Sequence, residues 1–588
     1  MTALEWDLSD LATEEADVDR FLDEARDLAA SLEQAHRGRV ATFDGSRLVE
    51  VVQGLAQVHE LLRRAQSYAY LRFAADTVDP ANGARLQRVQ ERVTEVTTIL
   101  LFFELEWAAL PDERADALLG TPGLELARHH LATARRYRDH LLSEPEEKVL
   151  AEKQVTGAGA WARLFGELVS TLEVAIDGER VTLEEALSRL TSPDRAVRRA
   201  TADGVTAALA PGLRTRAFVY NTLLLDKSVD DRLRRYDHWL ASRNLANEAS
   251  DESVQALVDA VRARFDLPQR WYRLKARLLG VERLADYDRM ASVTEHEPHV
   301  SWDEARSLVL DSYASFSQEL ADIAEQFFER RWIDVPARPG KQPGAFCMYT
   351  VPSVHPYVLL NFTNRPGDVV TLAHELGHGL HAYLSRPQGV FHQSTPLTLA
   401  ETASVFGETV AFNRLLDRCE TADARLGLLA QHIEGAIATV FRQTAMNRFE
   451  HLAHTARRTE GELSVERFGE LWAESQRELF GDAVEITEGY RSWWSYIPHF
   501  VNTPGYVYAY AYGQLLALSV YRQYEEQGSD FVPRYLHLLS SGGSMAPEEL
   551  GRIVGCDLAD PGFWDGGLAI VEHQLEAAET AAWEAGRL

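Results

Sequence analysis

The chain has 588 residues, of which 46% are hydrophobic and 25% charged, and this composition predicts a folded protein with a large core. Its 89 acidic and 60 basic residues give a net charge of -29, which argues against nucleic-acid binding because phosphate contacts require clustered positive charge. The three cysteines, Cys347, Cys419 and Cys556, are too scattered for a disulfide framework or a cysteine zinc site.

The amino terminus is acidic and lacks an apolar core, so we expect no signal peptide. The longest uncharged aromatic run, from Tyr506 to Tyr521, is too short for a membrane span and contains Gly513 and Gln514. Together with the unpaired cysteines, these features predict a soluble protein in the cytoplasm that does not bind a membrane.

Residues 10 to about 200 form successive amphipathic patterns, which predict helices and show no period-two alternation. A second helical set follows to about residue 335, with starts marked by "SPDRAVRRAT", "SDESVQALVDAVRARF" and "SWDEARSLVLDSYASF". We therefore expect two domains, 1–200 and 201–588. The fold class is mostly α.

Prolines and glycines then separate two β-rich runs, Ala345–Thr350 and Tyr357–Phe362. These runs predict a small sheet whose free edge could pair with an extended peptide. A hairpin that merely packs on the next helix would have the same sequence. Helical patterns resume after residue 411.

The next helix contains "TLAHELGHGLH", residues 371–381, and Asp368 is the expected cap at its start. His374 and His378 lie one turn apart on one face, where both can bind one metal ion, and Glu375 can reach a water on that metal. A surface helix could carry two histidines by chance, but the neighbouring apolar residues indicate burial, which is costly for unbound imidazoles. We interpret His381 as a packing or supporting residue.

Zinc requires a third protein ligand. A metzincin would have histidine at position 384, which is Leu384 here. The helical stretch 397–410 offers Glu401 and Glu408, seven residues apart on one face. Either could be the ligand; Glu401 is nearer in sequence, and Glu408 would then support the site or lie in solvent.

The combination of "HELGHGLH" and "AETAS" resembles the M3 family of zinc metallopeptidases, the thimet oligopeptidase group, and is most similar to its bacterial oligoendopeptidase F branch. The resemblance extends over nearly the whole chain. It includes these further segments: "EWDLSDL", "RFAADT", "YVLLNF", "FRQTAMNRFE" and "WWSYIPHF".

The resemblance implies a multi-helical, two-lobed fold with a deep substrate channel and one Zn²⁺ per chain. It assigns the metal ligands to His374, His378 and Glu401, and the general base to Glu375. The family also stabilises the tetrahedral intermediate with a histidine and tyrosines, which match His499, Tyr506 and Tyr510. The family pattern predicts a further tyrosine where this chain has Gly513. An aromatic wall that only packs a helix is the alternative reading of this segment.

The implied activity is hydrolysis of internal bonds in short unfolded peptides. Two alternatives stay open. An H-E-x-x-H zinc carboxypeptidase would need a cation for the substrate's terminal carboxylate. A non-catalytic helical peptide-binding protein with a structural metal would have no use for the base Glu375.

Overall fold

The computed structural model describes residues 4–154, 156–294, 299–560 and 562–588. They form two compact units, each assembled from three chain segments. Unit 1 contains the described parts of Met1–Arg138, Pro298–Asp417 and Val520–Asp557, and unit 2 contains those of Asp139–Glu297, Arg418–Ser519 and Leu558–Leu588. Both are mainly helical, so the mostly α prediction is confirmed. The predicted domains 1–200 and 201–588 are continuous in the chain, whereas each unit combines three separate segments. The division at residue 200 stays a prediction.

Unit 1 begins with a helical bundle. Its helices are α1 (Glu15–His36), α2 (Gly45–Ala75), α3 (Pro80–Ala108), α4 (Asp112–Leu119) and α5 (Arg128–Arg136). On α1, Val18, Leu22, Ala25 and Ala29 recur every three or four residues and are fully buried in the bundle core. This spacing places them on one face, so burial of that face against α2 and α3 explains why the segment is helical.

The following segment belongs to unit 2. It forms α6 (Glu144–Gln154), α7 (Ala158–Ser170), β1 (Glu173–Ile176), β2 (Glu179–Thr182), α8 (Leu183–Arg189), α9 (Arg195–Leu209), α10 (Leu213–Leu233), α11 (Ala241–Ala246), α12 (Asp251–Ala263), α13 (Asp266–Leu278) and β3 (Leu284–Ala285). Two of the predicted starts are caps here: Asp194 accepts a hydrogen bond from Ala196 N at 2.8 Å, and Ser250 Oγ accepts one from Ser253 N at 3.2 Å.

The antiparallel hairpin of β1 and β2 contradicts the purely helical prediction for residues 10–200. Its turn is Asp177-Gly178, with φ of 49° and 86°. An Asp-Gly pair suits a turn that needs positive φ at both positions, and Val174, Ile176 and Val181 alternate inward beside it. This local signal was present in the sequence and was missed.

Unit 1 resumes with the segment that carries the metal-binding motif. It forms α14 (Trp302–Phe316), α15 (Gln318–Glu329), β4 (Ile333–Pro336), β5 (Phe346–Met348), β6 (Tyr357–Phe362), α16 (Pro366–Leu384), α17 (Gly389–His392), α18 (Leu397–Ala400) and α19 (Thr402–Asp417). The predicted start of α14 is confirmed, because Ser301 and Glu304 form a reciprocal capping box.

The three-stranded sheet of this segment has the order β4-β6-β5. β6 is parallel to β4 and antiparallel to β5, with Cys347 opposite Val358. The predicted sheet beside the metal-motif helix is therefore confirmed, since β5 and β6 contact α16. β5 is an edge strand.

The remaining helices and the last strand complete the two units. They are α20 (Ala422–Ala436), α21 (Gln443–Glu460), α22 (Val465–Phe480), β7 (Val484–Glu485), α23 (His499–Asn502), α24 (Tyr508–Gln527), α25 (Val532–Ser541), α26 (Pro547–Ile553) and α27 (Phe563–Glu584). β7 pairs in parallel with β3 inside unit 2. Across the described residues, none of the helices combines the length and apolarity needed to cross a membrane.

Candidate metal centre

Helix α16 begins two residues before the predicted cap. Pro366 occupies its first turn, where a missing N–H costs nothing, and Arg365 is the capping position. Asp368 lies inside the helix, and its carboxylate accepts hydrogen bonds from Arg365 N at 3.0 Å and Thr363 N at 2.6 Å. The prediction that Asp368 is the cap residue was therefore wrong by three positions, although its carboxylate does satisfy backbone donors at the helix start.

Gly377 allows α16 to pack closely against α19. A Cβ atom on Gly377 would lie 2.3 Å from the backbone oxygen of Ala403, which no side chain tolerates. Gly377 lies between His374 and His378 on the helix, so the close contact falls at the histidine pair. The chain just before Ala403 is thereby held against the two imidazoles.

Glu401 is the residue that this contact brings to the histidines. It lies in a break between α18 and α19, rather than inside the continuous helix predicted for 397–410. Its Oε2 atom is 3.3 Å from His374 Nε2 and 3.5 Å from His378 Nε2. All three donor atoms lie within 4.8 Å of one another.

These distances test whether the residues suit a zinc ion. Zinc bonds of about 2.0–2.2 Å in tetrahedral geometry separate the ligand atoms by roughly 3.4 Å. The two separations from Glu401 Oε2 match this value, and two imidazoles with one carboxylate form a known catalytic donor set. The residues therefore fit zinc, with a coordination position left over for water.

The second glutamate of the stretch, Glu408, contacts the opposite side of one imidazole. Its Oε2 is 3.0 Å from His374 Nδ1, a distance at which an Nδ1–H group can donate a hydrogen bond to this carboxylate. A carboxylate in this position orients a metal-binding histidine and increases its basicity. Glu401 is itself held by the Ser404 hydroxyl, which donates to Oε2 at 2.7 Å.

The environments of the two glutamates beside the histidines push their pKa values apart. Burial raises the pKa of Glu375 to about 7, although the neighbouring His374 lowers it. Burial acts in the same direction on Glu401, but the hydrogen bond from His374 and the charge of His378 outweigh it and lower the pKa of Glu401 to about 2. Glu401 is therefore suited to bind a cation, and Glu375 is suited to exchange a proton near neutral pH.

His374, Glu375, His378 and Glu401 line one cavity of about 410 Å³. Cys347 of the edge strand and Tyr349, just after it, form another wall, and the remaining lining residues are Ala345, Phe346, Ser394, Thr395 and Ala400. Sequence reasoning did not single out Cys347 or Tyr349 as site residues. Their position in the β-rich run just before the motif was the available signal.

His381 takes no part in the donor group. It is buried with 2% of its surface exposed, and its ring centroid is 6.5 Å from that of Tyr349. This placement agrees with its interpretation as a packing residue.

The predicted oxyanion donors lie together in unit 2. His499 is the first residue of α23, Tyr506 lies in the turn that follows, and Tyr510 is on α24. His499 Nε2 is 3.3 Å from the Tyr510 hydroxyl, and the Tyr506 and Tyr510 ring centroids are 5.0 Å apart. All three side chains are partly exposed.

The alternate tyrosines point to the opposite face of α24. Tyr508 is fully buried and its hydroxyl accepts a hydrogen bond from Asn247 at 2.9 Å, while the Tyr512 hydroxyl lies 2.8 Å from Ser253 Oγ. These two tyrosines are core residues. The structure thus separates the segment into a partly exposed pair near His499 and a buried pair.

Comparison with known proteins gives matches to two family models. The model of peptidase family M3 matches residues 189–570, and a model described as oligopeptidase F matches residues 106–173. The first match covers well over half of the chain. The chain belongs to peptidase family M3.

Two relatives show how far the similarity extends. The chain is 26% identical to oligopeptidase PepF of Bacillus subtilis, over 98% of this chain and 86% of the relative. It is also 26% identical to group B oligopeptidase PepB of Streptococcus agalactiae, over 98% and 96%.

Solved structures share the fold. A Chlamydophila abortus protein superposes with a TM-score of 0.87 at 22% identity, covering 98% of both chains. The oligoendopeptidase-F of Enterococcus faecium gives a TM-score of 0.73 at 23% identity, covering 96% of this chain and 99% of that one.

The M3 model spans every predicted site residue, from the metal-motif helix to Tyr510. Family membership therefore agrees with the resemblance drawn from the sequence. The roles of the individual residues stay predictions. For the third ligand, the variants Glu401→Ala and Glu408→Ala provide the test.

We expect Glu401→Ala to weaken zinc binding far more than Glu408→Ala. Loss of Glu401 removes a ligand, whereas loss of a carboxylate that only orients an imidazole typically costs 10- to 100-fold in affinity. Competition with a zinc-selective chelator measures both variants, and circular dichroism confirms that they fold. Stronger zinc loss from Glu408→Ala would contradict the assignment.

Proposed function

We propose that this M3 peptidase is a zinc-dependent endopeptidase that hydrolyses internal bonds of short unfolded peptides in the cytoplasm. The proposal rests chiefly on one observation: Glu401 Oε2 lies 3.3 and 3.5 Å from the Nε2 atoms of two histidines, beside the buried Glu375, in one cavity. The names of the relatives support the preference for oligopeptides. Among the described residues, Cys347, Cys419 and Cys556 form no disulfide bond, which is consistent with a reducing compartment.

The proposed ligands are His374, His378 and Glu401, with Glu408 orienting His374. A zinc ion bound there supplies Lewis acidity, which activates water and polarises a carbonyl group. The negative charge of Glu401 and the Nδ1–H···Glu408 contact prepare the two imidazole Nε2 atoms for a cation. No other residue is needed to complete a three-ligand site with an open position.

Glu375 is the proposed general base. Its carboxylate takes a proton from the attacking water and then transfers that proton to the amine of the departing peptide. A base performs both transfers best when its pKa is close to the working pH, and burial raises the pKa of Glu375 to about 7. A structural metal site would have no use for this residue, which disfavours the non-catalytic alternative.

His499, Tyr506 and Tyr510 are the proposed donors to the developing oxyanion. Their partial exposure and their mutual distances support this role, since hydroxyl and imidazole groups held in place donate without reorganising. The buried Tyr508 and Tyr512 are already bonded within unit 2 and are not assigned a catalytic role.

The edge strand β5 is the proposed contact for the substrate backbone. Within the described part of the chain, no strand pairs with the outer side of Phe346–Met348, and Cys347 of this strand lines the cavity. An extended peptide can add to such an edge through main-chain hydrogen bonds, which select for unfolded substrates and not for a particular sequence.

An internally quenched peptide with both termini blocked tests the function directly. We expect the protein to cleave it, to lose activity with a chelator and to regain activity with stoichiometric zinc. A carboxypeptidase requires a free carboxyl terminus and would leave the blocked peptide intact. Absence of cleavage in the presence of measured bound zinc would favour the non-catalytic alternative.

We expect Glu375→Gln to retain zinc and lose most turnover, because the amide preserves size but cannot accept the proton. General acid–base catalysis contributes typically 10²- to 10⁴-fold, so kcat is expected to fall within that range. Zinc content by atomic emission and kcat by the quenched peptide measure the two effects. Loss of zinc, or near-normal kcat, would rule out the base role.

We expect Tyr506→Phe and His499→Ala each to lower kcat by about 10²- to 10³-fold with little change in KM or zinc content, because one oxyanion donor is lost. Tyr510→Phe is expected to have a smaller effect of the same kind, through its contact with His499.

Tyr508→Phe is the matched control, since it removes a hydroxyl from the same segment but from the buried face. It is expected to reduce thermal stability and to leave kcat per folded molecule near the wild-type value. If Tyr506→Phe and His499→Ala are also unchanged in kcat, the segment is an aromatic wall and not a donor group.

A further inference from the structure

The turn between His499 and Tyr506 is short and is held by backbone hydrogen bonds. Thr503 N donates to His499 O at 3.0 Å, and Tyr506 N donates to Thr503 O at 3.1 Å. On the far side, Ala509 N donates to Tyr506 O at 2.9 Å. Because these bonds follow one another without interruption, a displacement of the turn moves Tyr506 relative to His499.

Gly505 at the centre of this turn has a φ of +72°, in the left-handed region that favours glycine. A Cβ atom there would lie 2.6 Å from Leu240 Cδ1 and 3.4 Å from the Trp239 ring. The backbone of the turn therefore lies directly against the Trp239–Arg243 segment, and Gly505 is buried.

Glu450 on α21 provides the acceptor for this N–H group. Its Oε1 accepts a hydrogen bond from Gly505 N at 2.9 Å, and the side chain is completely buried. Its Oε2 has no hydrogen-bond partner among the residues described by the structure. The adjacent Pro504 O accepts a second bond from Arg243 Nε at 3.3 Å.

Burial raises the pKa of Glu450 to about 8, against smaller lowering effects of the Gly505 bond and Arg243. Tyr220 on α10 also faces this carboxyl group, and its own pKa is raised well above the usual value by burial and by Glu450. Burial of a carboxyl group costs free energy, and here that group satisfies a single backbone donor. Its contact with this turn indicates a role in holding the turn.

We propose that Glu450 is a positioning residue for the oxyanion donors: its bond to Gly505 N fixes the turn that sets the geometry of His499 and Tyr506. This inference rests on the proposed function of those two residues. The contact of Glu450 with this segment is its bond to Gly505 N, so it acts through the backbone of Thr503–Gly505. Misplacement of a catalytic group by about 1 Å can cost roughly 10²-fold in rate.

Glu450→Gln and Glu450→Leu distinguish positioning from simple packing. Glutamine keeps an oxygen that accepts from Gly505 N and mimics a neutral carboxylic acid, so we expect kcat within about threefold of wild type. Leucine removes the acceptor, and we expect kcat to fall roughly 10- to 100-fold, with KM changed less than threefold and zinc retained. Rates are referred to folded protein, measured by circular dichroism.

Asn221→Leu is the matched control. Asn221 is also buried in unit 2, and its side-chain oxygen accepts a hydrogen bond at 2.9 Å from Leu463 N, which is not part of the turn. This variant removes a comparable buried acceptor, so we expect a lower Tm with unchanged kcat per folded molecule. If Glu450→Leu shows the same pattern, Glu450 is only structural and the inference fails.

A double-mutant cycle identifies the route of the effect. In the Tyr506→Phe background, Glu450→Leu is expected to add less than about threefold, because both changes disable the same donor. Full additivity would overturn the inference. If Glu450→Leu does not fold, Gly505→Ala displaces the same turn through its contact with Leu240 and is expected to lower kcat with zinc retained; unchanged kcat would equally overturn it.

The experiments distinguish failure of the proposed function from failure of the inference about Glu450. A wild-type protein that does not cleave peptides, or a Tyr506→Phe variant with normal kcat, would reject the donor assignment before Glu450 is considered. Normal wild-type activity, a damaged Tyr506→Phe and an unaffected Glu450→Leu would reject only the inference drawn for Glu450.

Discussion

The close approach of α16 to the start of α19 is the constraint on which the candidate metal site depends. Only a residue without a side chain fits at Gly377, where a Cβ atom would lie 2.3 Å from Ala403 O. This contact holds the break between α18 and α19 against two imidazoles on neighbouring turns, and Glu401 occupies that break. A three-donor group therefore arises from helix packing.

The acidic residues of this site differ in their pKa values and in their contacts with the histidines. Glu401 faces both imidazoles and has a lowered pKa, Glu408 contacts the far nitrogen of His374, and Glu375 has a raised pKa because burial dominates. The three carboxyl groups are chemically alike, and their distances to the histidines and to the core distinguish them. The net charge of -29 is a property of the whole chain and does not determine this division.

Sequence periodicity indicates which tyrosines of segment 506–512 share a face, and tertiary contacts determine which face is buried. The spacing of Tyr506, Tyr508, Tyr510 and Tyr512 predicted two faces, since residues four apart on a helix point the same way. Which face is buried depends on α11 and α12, because Asn247 and Ser253 bond the hydroxyls of Tyr508 and Tyr512. Periodicity alone could not supply this choice, because both faces carry the same side chain; the family resemblance selected Tyr506 and Tyr510.

The sequence by itself determined the mostly α fold, the helix starts at Asp194, Ser250 and Ser301, the two strands beside the motif, and membership of the M3 family. These depend on local patterns: apolar periodicity, capping side chains and the H-E-x-x-H spacing. The Asp177-Gly178 hairpin was equally local and was overlooked.

Local spacing left Glu401 and Glu408 open as the third ligand, and the family resemblance assigned Glu401; the tertiary structure places Glu401 Oε2 near both Nε2 atoms. Only the tertiary structure decided that Cys347 and Tyr349 line the same cavity. It also decided that Glu450 contacts a turn 55 positions later in the chain. Such contacts join residues that are distant in sequence, and their geometry is set by the packing of whole helices, which no local pattern specifies.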